Sequence, residues 1–248
     1  MQRVYTDILN IHSTAKAIPK GRIWKVGLEL EGQWDKRPSV EPLGNVQPDG
    51  SVRFESSLNA FHTGEISSPP LEIIEVVSYV RGAYPSRVNS TCGLHVHMSF
   101  RSRYAYQILM DPLYQDVMFS AIAKWVREEG LPEDHHVWTR LSGNHRHCQR
   151  RFLADAQVRV ERKRYGYTES EDSRYTAINY PWLQHGTVEC RLLPMMETAD
   201  EAIRGIMVVL NTTNLFLSCW REREIRHESK LTFMAIPDHE DTYVIGVH

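Results

Sequence analysis

Three short stretches of the chain carry polar residues spaced by one: Glu29 and Glu31 in GLELEG, His95 and His97 in CGLHVHMSF, and Glu189 and Arg191 in TVECRLLP. Each sits among residues that favour strands. Successive strand side chains point to opposite faces, so residues i and i+2 share one, and each pair presents two polar groups to the same side. Two carboxylates on one face repel each other, and a divalent cation between them is the least costly remedy. Singly, the pairs have plainer readings. Glu-x-Glu suits the solvent face of an edge strand, His-x-His a solvated strand, and Glu-x-Arg a surface salt bridge worth little. Jointly they point to oxygen-rich coordination of a hard cation with an imidazole in its shell, and to an arginine that neutralises phosphoryl oxygens. Glu65, in HTGEISSPP, adds one more carboxylate in a short strand, and alone it suits a surface position.

Elements able to position these residues follow from the patterning. Residues 23–30 alternate as a strand, with Trp24, Val26 and Leu28 opposite the glutamates, and Gly32 after them permits close approach. A loop over 37–50 closes in the Pro-Asp-Gly-Ser turn, and strands are expected at 52–56 and 62–67. Pro69 and Pro70 fit the first turn of a helix over 71–80. In 94–100 the odd positions His95, His97 and Ser99 are polar and the even positions apolar, which describes a half-buried strand. Helices are expected over 113–128, ended by Gly130, and over 149–163. A hairpin over 175–182 and 187–193 and a closing helix over 201–220 complete an α+β reading: a mainly antiparallel, curved sheet backed by helices. The domain reading is an extension at 1–22, a catalytic domain at 23–222 with a basic insert at 140–164, and a polar tail at 223–248.

Composition adds limits. The 248 residues suffice for one sizeable domain, and 29 basic against 31 acidic residues give no global argument for nucleic acid or membrane binding. Charge is local instead: between 140 and 164 stand Arg140, Arg146, Arg150, Arg151, Arg159, Arg162, Lys163 and Arg164 against Asp155 and Glu161. A solvated helix face is the first reading of that cluster, and contacts to ATP, an acidic substrate or a phosphate-rich macromolecule are the others. His135, His136, His145 and His147 nearby lack metal-ligand spacing and read as a surface loop. The four cysteines show no CxxC spacing, so reduced thiols in a cytosolic chain are expected. The N-terminus lacks an apolar signal core, and the apolar run at 203–220 is interrupted by Asn211, Thr212, Thr213 and Asn214. A soluble, cytoplasmic chain without a membrane segment is the expectation.

Taken in order, these motifs resemble a known family. TCGLHVHMS resembles the histidine motif of glutamine synthetase, Glu-x-Glu its first metal-ligand strand, and Arg174 in SRYTAINYP followed by VECRLLP its arginine and Glu-x-Arg strands. With DGS and GEISSPP between the first two motifs, the pattern resembles the small amidoligase family, a relative of glutamine synthetase and glutamate-cysteine ligase. The resemblance spans roughly residues 24–210. It implies a glutamine-synthetase-like catalytic domain and an ATP-dependent carboxylate-amine ligase. A small-molecule or peptide carboxylate would be activated as an acyl phosphate and captured by an amine. It further implies that Glu29, His95 and Glu189 hold one Mg²⁺ or Mn²⁺, that Glu31 and Glu65 hold a second, and that His97 and Ser99 touch the nucleotide. Arg174 and Arg191 would stabilise the transferring phosphoryl group. Asp49 resembles the aspartate that helps deprotonate the amine, although here it follows Glu-x-Glu rather than preceding it. Asn179 stands where the synthetase pattern has a further arginine.

Two other classes compete. A cupin-like Fe(II) oxygenase would use His95, His97 and Glu189 as a facial triad, which leaves Glu29, Glu31, Arg174 and Arg191 without a task. A non-catalytic descendant would bind an acidic or nucleic-acid partner through 140–164.

Overall fold

The structure, a computed structural model, describes residues 23–55, 60–150, 175–181 and 186–224. Its central strand is β1 (Ile23–Trp34), where Val26, Leu28, Leu30 and Trp34 alternate at 1% exposure or less. β1 continues past its expected end at Leu30. Gln33 pairs with Thr63 and with the Arg87 backbone, and Trp34 Nε1 donates to the Ala83 carbonyl at 2.8 Å. After β1 come β2 (Asn45–Gln47), β3 (His62–Ser67), helix α1 (Val76–Ala83) and β4 (Gly93–Phe100). Then follow α2 (Arg103–Leu109), α3 (Pro112–Glu128) and the short α4 (Val137–Leu141). A small hairpin of β5 (Asn144–His145) and β6 (Cys148–Gln149) leads on to β7 (Ile178–Asn179), β8 (Val188–Pro194) and α5 (Ala199–Glu224).

Six strands form one open, antiparallel sheet in the order β2-β3-β1-β4-β8-β7. The architecture is therefore α+β, with α3 and α5 packed on one face of the sheet. On that face Leu94, Val96 and Met98 of β4 and Val188, Cys190 and Leu192 of β8 are all 0% exposed, each such side chain contributing about 1.5–3 kcal/mol. α5 lies over them: Thr213 Oγ1 is 3.3 Å from Met98 Sδ and 2.8 Å from Tyr114 Oη on α3. Helix starts are written locally. Asp111 caps α3 by accepting from Leu113 N at 2.8 Å, and Thr198 with Glu201 makes a reciprocal capping box ahead of α5. Gly130, at φ +69, ends α3 as expected.

Among the described residues α5 alone is long and apolar enough to cross a membrane, with mean hydropathy 1.3 over Ala199–Cys219. That window is 72% buried inside the fold, so the helix packs as a core element, and its Thr212 and Thr213 are themselves fully buried. The described cysteines are free thiols.

Several expected elements differ. No helix begins at Pro69: Leu71 exchanges backbone hydrogen bonds with Val26 at 2.9 and 2.8 Å, and this tertiary pairing holds the chain extended. The helical turn starts only at Ile73–Glu75, where Glu72 and Glu75 cap each other. Residues 52–55 are not a strand, because an Asp49 turn and bonds to the Asn89 and Thr91 side chains take their backbone groups. The short β2 lies inside the expected loop. Gln149 belongs to β6 rather than opening a helix, and 151–163 fall outside the described residues. The first arm of the expected hairpin shrinks to Ile178–Asn179.

Candidate metal and anion site

The face of the sheet opposite α3 and α5 carries the spaced pairs, and the strand register aligns them. Glu31 lies across from Glu65 on β3, Glu29 across from His95 on β4, and His97 across from Glu189 on β8. Gly27 stands opposite His97 and leaves room for its ring. Side chains that are far apart in sequence thus become neighbours through cross-strand pairing.

Two donor sets result, each with its ligand atoms within 4.8 Å of one another: Glu29, His95 and Glu189, and Glu31, Asp49 and Glu65. In the first, His95 Nδ1 is 2.6 Å from Glu29 Oε2 and 3.6 Å from Glu189 Oε1. Glu189 is held from behind by Arg191 Nη1 at 2.5 Å and Asn179 Nδ2 at 2.7 Å. Burial pushes the Glu29 carboxyl up, but the His97 charge and hydrogen bonds from both histidines outweigh it and hold it well below the usual carboxylate range. Burial likewise opposes ionisation of Glu189, and Arg191 overcomes it. Burial costs the His97 imidazolium too, yet Glu29 and Glu189 raise its pKa to about 9.

In the second set Glu65 accepts from Gln47 Nε2 at 2.9 Å and Ser67 Oγ at 2.5 Å. Burial and the nearby Glu29 charge raise its pKa. Asp49 arrives from the loop after β2, its carboxylate fixed by the Ser51 amide at 2.7 Å. Gly64, at φ +144, permits that approach, because a Cβ there would lie 2.6 Å from Gln47 O and 2.8 Å from Asp49 N. Glu31 Oε2 accepts from the Gly93 amide at 2.5 Å.

Above these sets opens a cavity of about 750 Å³, a size that suits a small-molecule ligand. Its acidic floor faces a basic and aromatic wall formed by Arg53, Arg140, His145, Arg146, His147 and Tyr175, with Arg191 between. His147 and Tyr175 meet edge to face at 4.7 Å. Burial first, then the Arg140 charge, hold the His145 pKa down to about 4. The unfolded chain takes up this proton near the ordinary histidine pKa and the folded chain only near 4, so stability falls as pH drops through that window. His147 and His136 are pushed the same way, burial again leading. His145→Asn is therefore expected to reduce, not erase, the loss of Tm between pH 7 and pH 5; an unchanged loss in differential scanning fluorimetry would refute this.

The structure redistributes the expected site residues. Glu29, Glu31, Glu65, His95 and Glu189 come together, and Asp49 joins Glu31 and Glu65 as a third carboxylate. Ser99 is 1% exposed and does not line the cavity; its hydroxyl is bonded to the Lys25 backbone next to the bulge of β1. His97 lies behind Glu29 rather than on the cavity wall, 2.9 Å from Glu29 Oε1 and 3.1 Å from Thr187 Oγ1. Asn179 braces Glu189 instead of supplying a cation. Arg174 lies outside the described residues. The segment expected as a solvated helix face is not one where it is described: Arg140 is 3% exposed, Arg146 lines the cavity, and Arg150 pairs with Asp116. His145 and His147, expected in a surface loop, line the cavity as well. A signal for Arg140 did exist, since Val137 and Arg140 share one helix face and Val137 is fully buried.

The donor chemistry fits a hard divalent cation: carboxylate oxygens dominate, one imidazole joins, and no thiolate takes part. Searches of family models, curated proteins and solved structures find no match to this chain.

Proposed function

We propose that the protein is an ATP-dependent carboxylate-amine ligase of the amidoligase kind, with a glutamine-synthetase-like catalytic fold, working in the cytoplasm with Mg²⁺ or Mn²⁺. The observation that carries this reading is the pair of adjacent donor sets on one sheet face. They divide the carboxylates as the resemblance does, and an arginine stands beside one of them. Cations held by these two sets would supply charge neutralisation for the nucleotide's phosphate oxygens. Arg191, fixed by Glu189 and by its Nε contact to the His147 carbonyl at 3.4 Å, stabilises negative charge on the transferring phosphoryl group. The substrate carboxylate oxygen attacks the γ-phosphorus and ADP leaves. The amine nitrogen then attacks the acyl carbon and phosphate leaves, the amine proton passing to a carboxylate of the Glu31, Asp49 and Glu65 set. Asp49's place in that set favours a role in holding the cation.

The oxygenase reading gains less support. Its second imidazole, His97, is engaged by Glu29 and Thr187, and the described sheet is open rather than a closed barrel. The deciding experiment measures ADP release from ATP against pooled carboxylates and amines, with product mass spectrometry. Release that requires Mg²⁺ or Mn²⁺ together with both substrates is expected. Absence of Mg²⁺-dependent ATP binding would overturn the reading, and salt-sensitive binding of an acidic partner without turnover would favour the non-catalytic alternative.

A further inference from the structure

Arg140 is almost wholly buried, yet among the described residues no carboxylate lies within ion-pair distance of its guanidinium. Its one side-chain hydrogen bond runs from Nη1 to the Arg191 carbonyl at 3.0 Å, and a guanidinium carries five N–H donors. Nearby, Glu29 is paired with two imidazoles and Glu189 with Arg191 and Asn179. Burial opposes the Arg140 charge, and the Glu31 carboxylate, which favours it, lies beyond ion-pair distance. Nη2 reaches the space over Gly93, where a Cβ would lie 2.9 Å from it, 2.9 Å from His95 Nε2 and 3.1 Å from Glu31 Oε2. The side chain also lines the cavity. The open fork therefore faces the ligand space at its acidic end.

The geometry points to a carboxylate subsite at Arg140, distinct from the place where a carboxylate is activated. The assignment rests on the ligase reading in one respect: it makes the substrate an acid with a second, unreacted carboxylate, such as a dicarboxylic acid or an amino acid derivative. A planar carboxylate matches the guanidinium fork. Its single charge cancels that of Arg140, whereas a phosphate dianion would leave net negative charge beside Glu31.

The test is calorimetric titration of the full chain with glutarate, and separately with inorganic phosphate, in EDTA and without nucleotide. Glutarate should bind the wild type and lose about tenfold or more in affinity in Arg140→Gln, the loss of a hydrogen bond to a charged group, while phosphate binding does not change. Arg140→Lys keeps the charge but not the fork, guards against a Gln variant that misfolds, and should weaken glutarate severalfold. No glutarate binding to the wild type, equal binding in the Lys variant, or Arg140-dependent binding of phosphate alone would overturn the subsite. Because metal and ATP are absent, the two readings separate. Arg140-dependent glutarate binding without any ADP release sinks the ligase reading only, and ADP release with Arg140-independent glutarate binding sinks the subsite only.

Discussion

Glu29→Gln is expected to abolish metal-dependent ADP release while leaving the metal-free domain folded. Glu29 lies at the meeting point of three influences: His95, His97 and the carboxylates on either side. The amide keeps the shape and removes the charge. The pairing with the two imidazoles weakens, but the repulsion that raises the Glu65 pKa and opposes ionisation of Glu189 is relieved. These effects oppose each other, so stability in EDTA should change by no more than about 1–2 kcal/mol, an ordinary single-site effect. Cation affinity behaves differently, because an anionic ligand has gone. Outer-shell partners alone are worth about 10–100-fold, so a direct ligand's loss should cost more. In the wild type, Mn²⁺ at a hundredfold excess over its Kd adds about 2.7 kcal/mol, or about 5–10 °C in Tm for a domain of this size. The variant should lose most of that increment. A full Mn²⁺ shift in Glu29→Gln would show that the cation does not bind there.

Gly93→Ala tests the site without touching a charged group. The added methyl would enter the point where Arg140 Nη2, His95 Nε2 and Glu31 Oε2 converge. All three are side-chain ends, so the strand keeps its course and the fold pays about 1–2 kcal/mol for overpacking. The groups themselves must retreat, and displacements approaching 1 Å at reacting groups cost about a hundredfold. A loss of that size in kcat/KM is expected with a near-native melt. Gly50→Ala is the control: it also lines the cavity, and nothing lies within 4 Å of its added Cβ. Equal losses in both variants would argue against convergence at Gly93.

How much of this was legible in the sequence depended on the range of the interaction that decides each feature. The period-two patterns of β1 and β4 placed Glu29, Glu31, His95 and His97 on one face, because side-chain alternation is a property of the strand itself. The Gly130 signal bounded the end of α3 for the same local reason. Asp49 was legible as a turn residue but not as a partner of Glu31 and Glu65, since its place depends on the β2–β3 pairing and on the unusual backbone of Gly64. Arg140 was read by its charge, and burial of a charge is settled by tertiary packing. Leu71 shows the same limit for structure: helical spacing argued for a helix, and hydrogen bonds to Val26 won. Ser99 shared a face with two histidines in the pattern, but a bulge in the neighbouring strand claimed its hydroxyl.

Because Glu29 and Glu31 reach their partners across the ladder, ligand spacing here is set by the rise of the strand, about 3.4 Å per residue. Loop packing has little say in it. A slip of β1 by one residue against β4 would turn both glutamates onto the face now filled by Leu28, Leu30 and Val96, and leave His95 opposite an apolar side chain. A divalent cation would thus recognise only the correctly aligned sheet, and during folding its binding would discriminate the native strand alignment from its nearest mistakes.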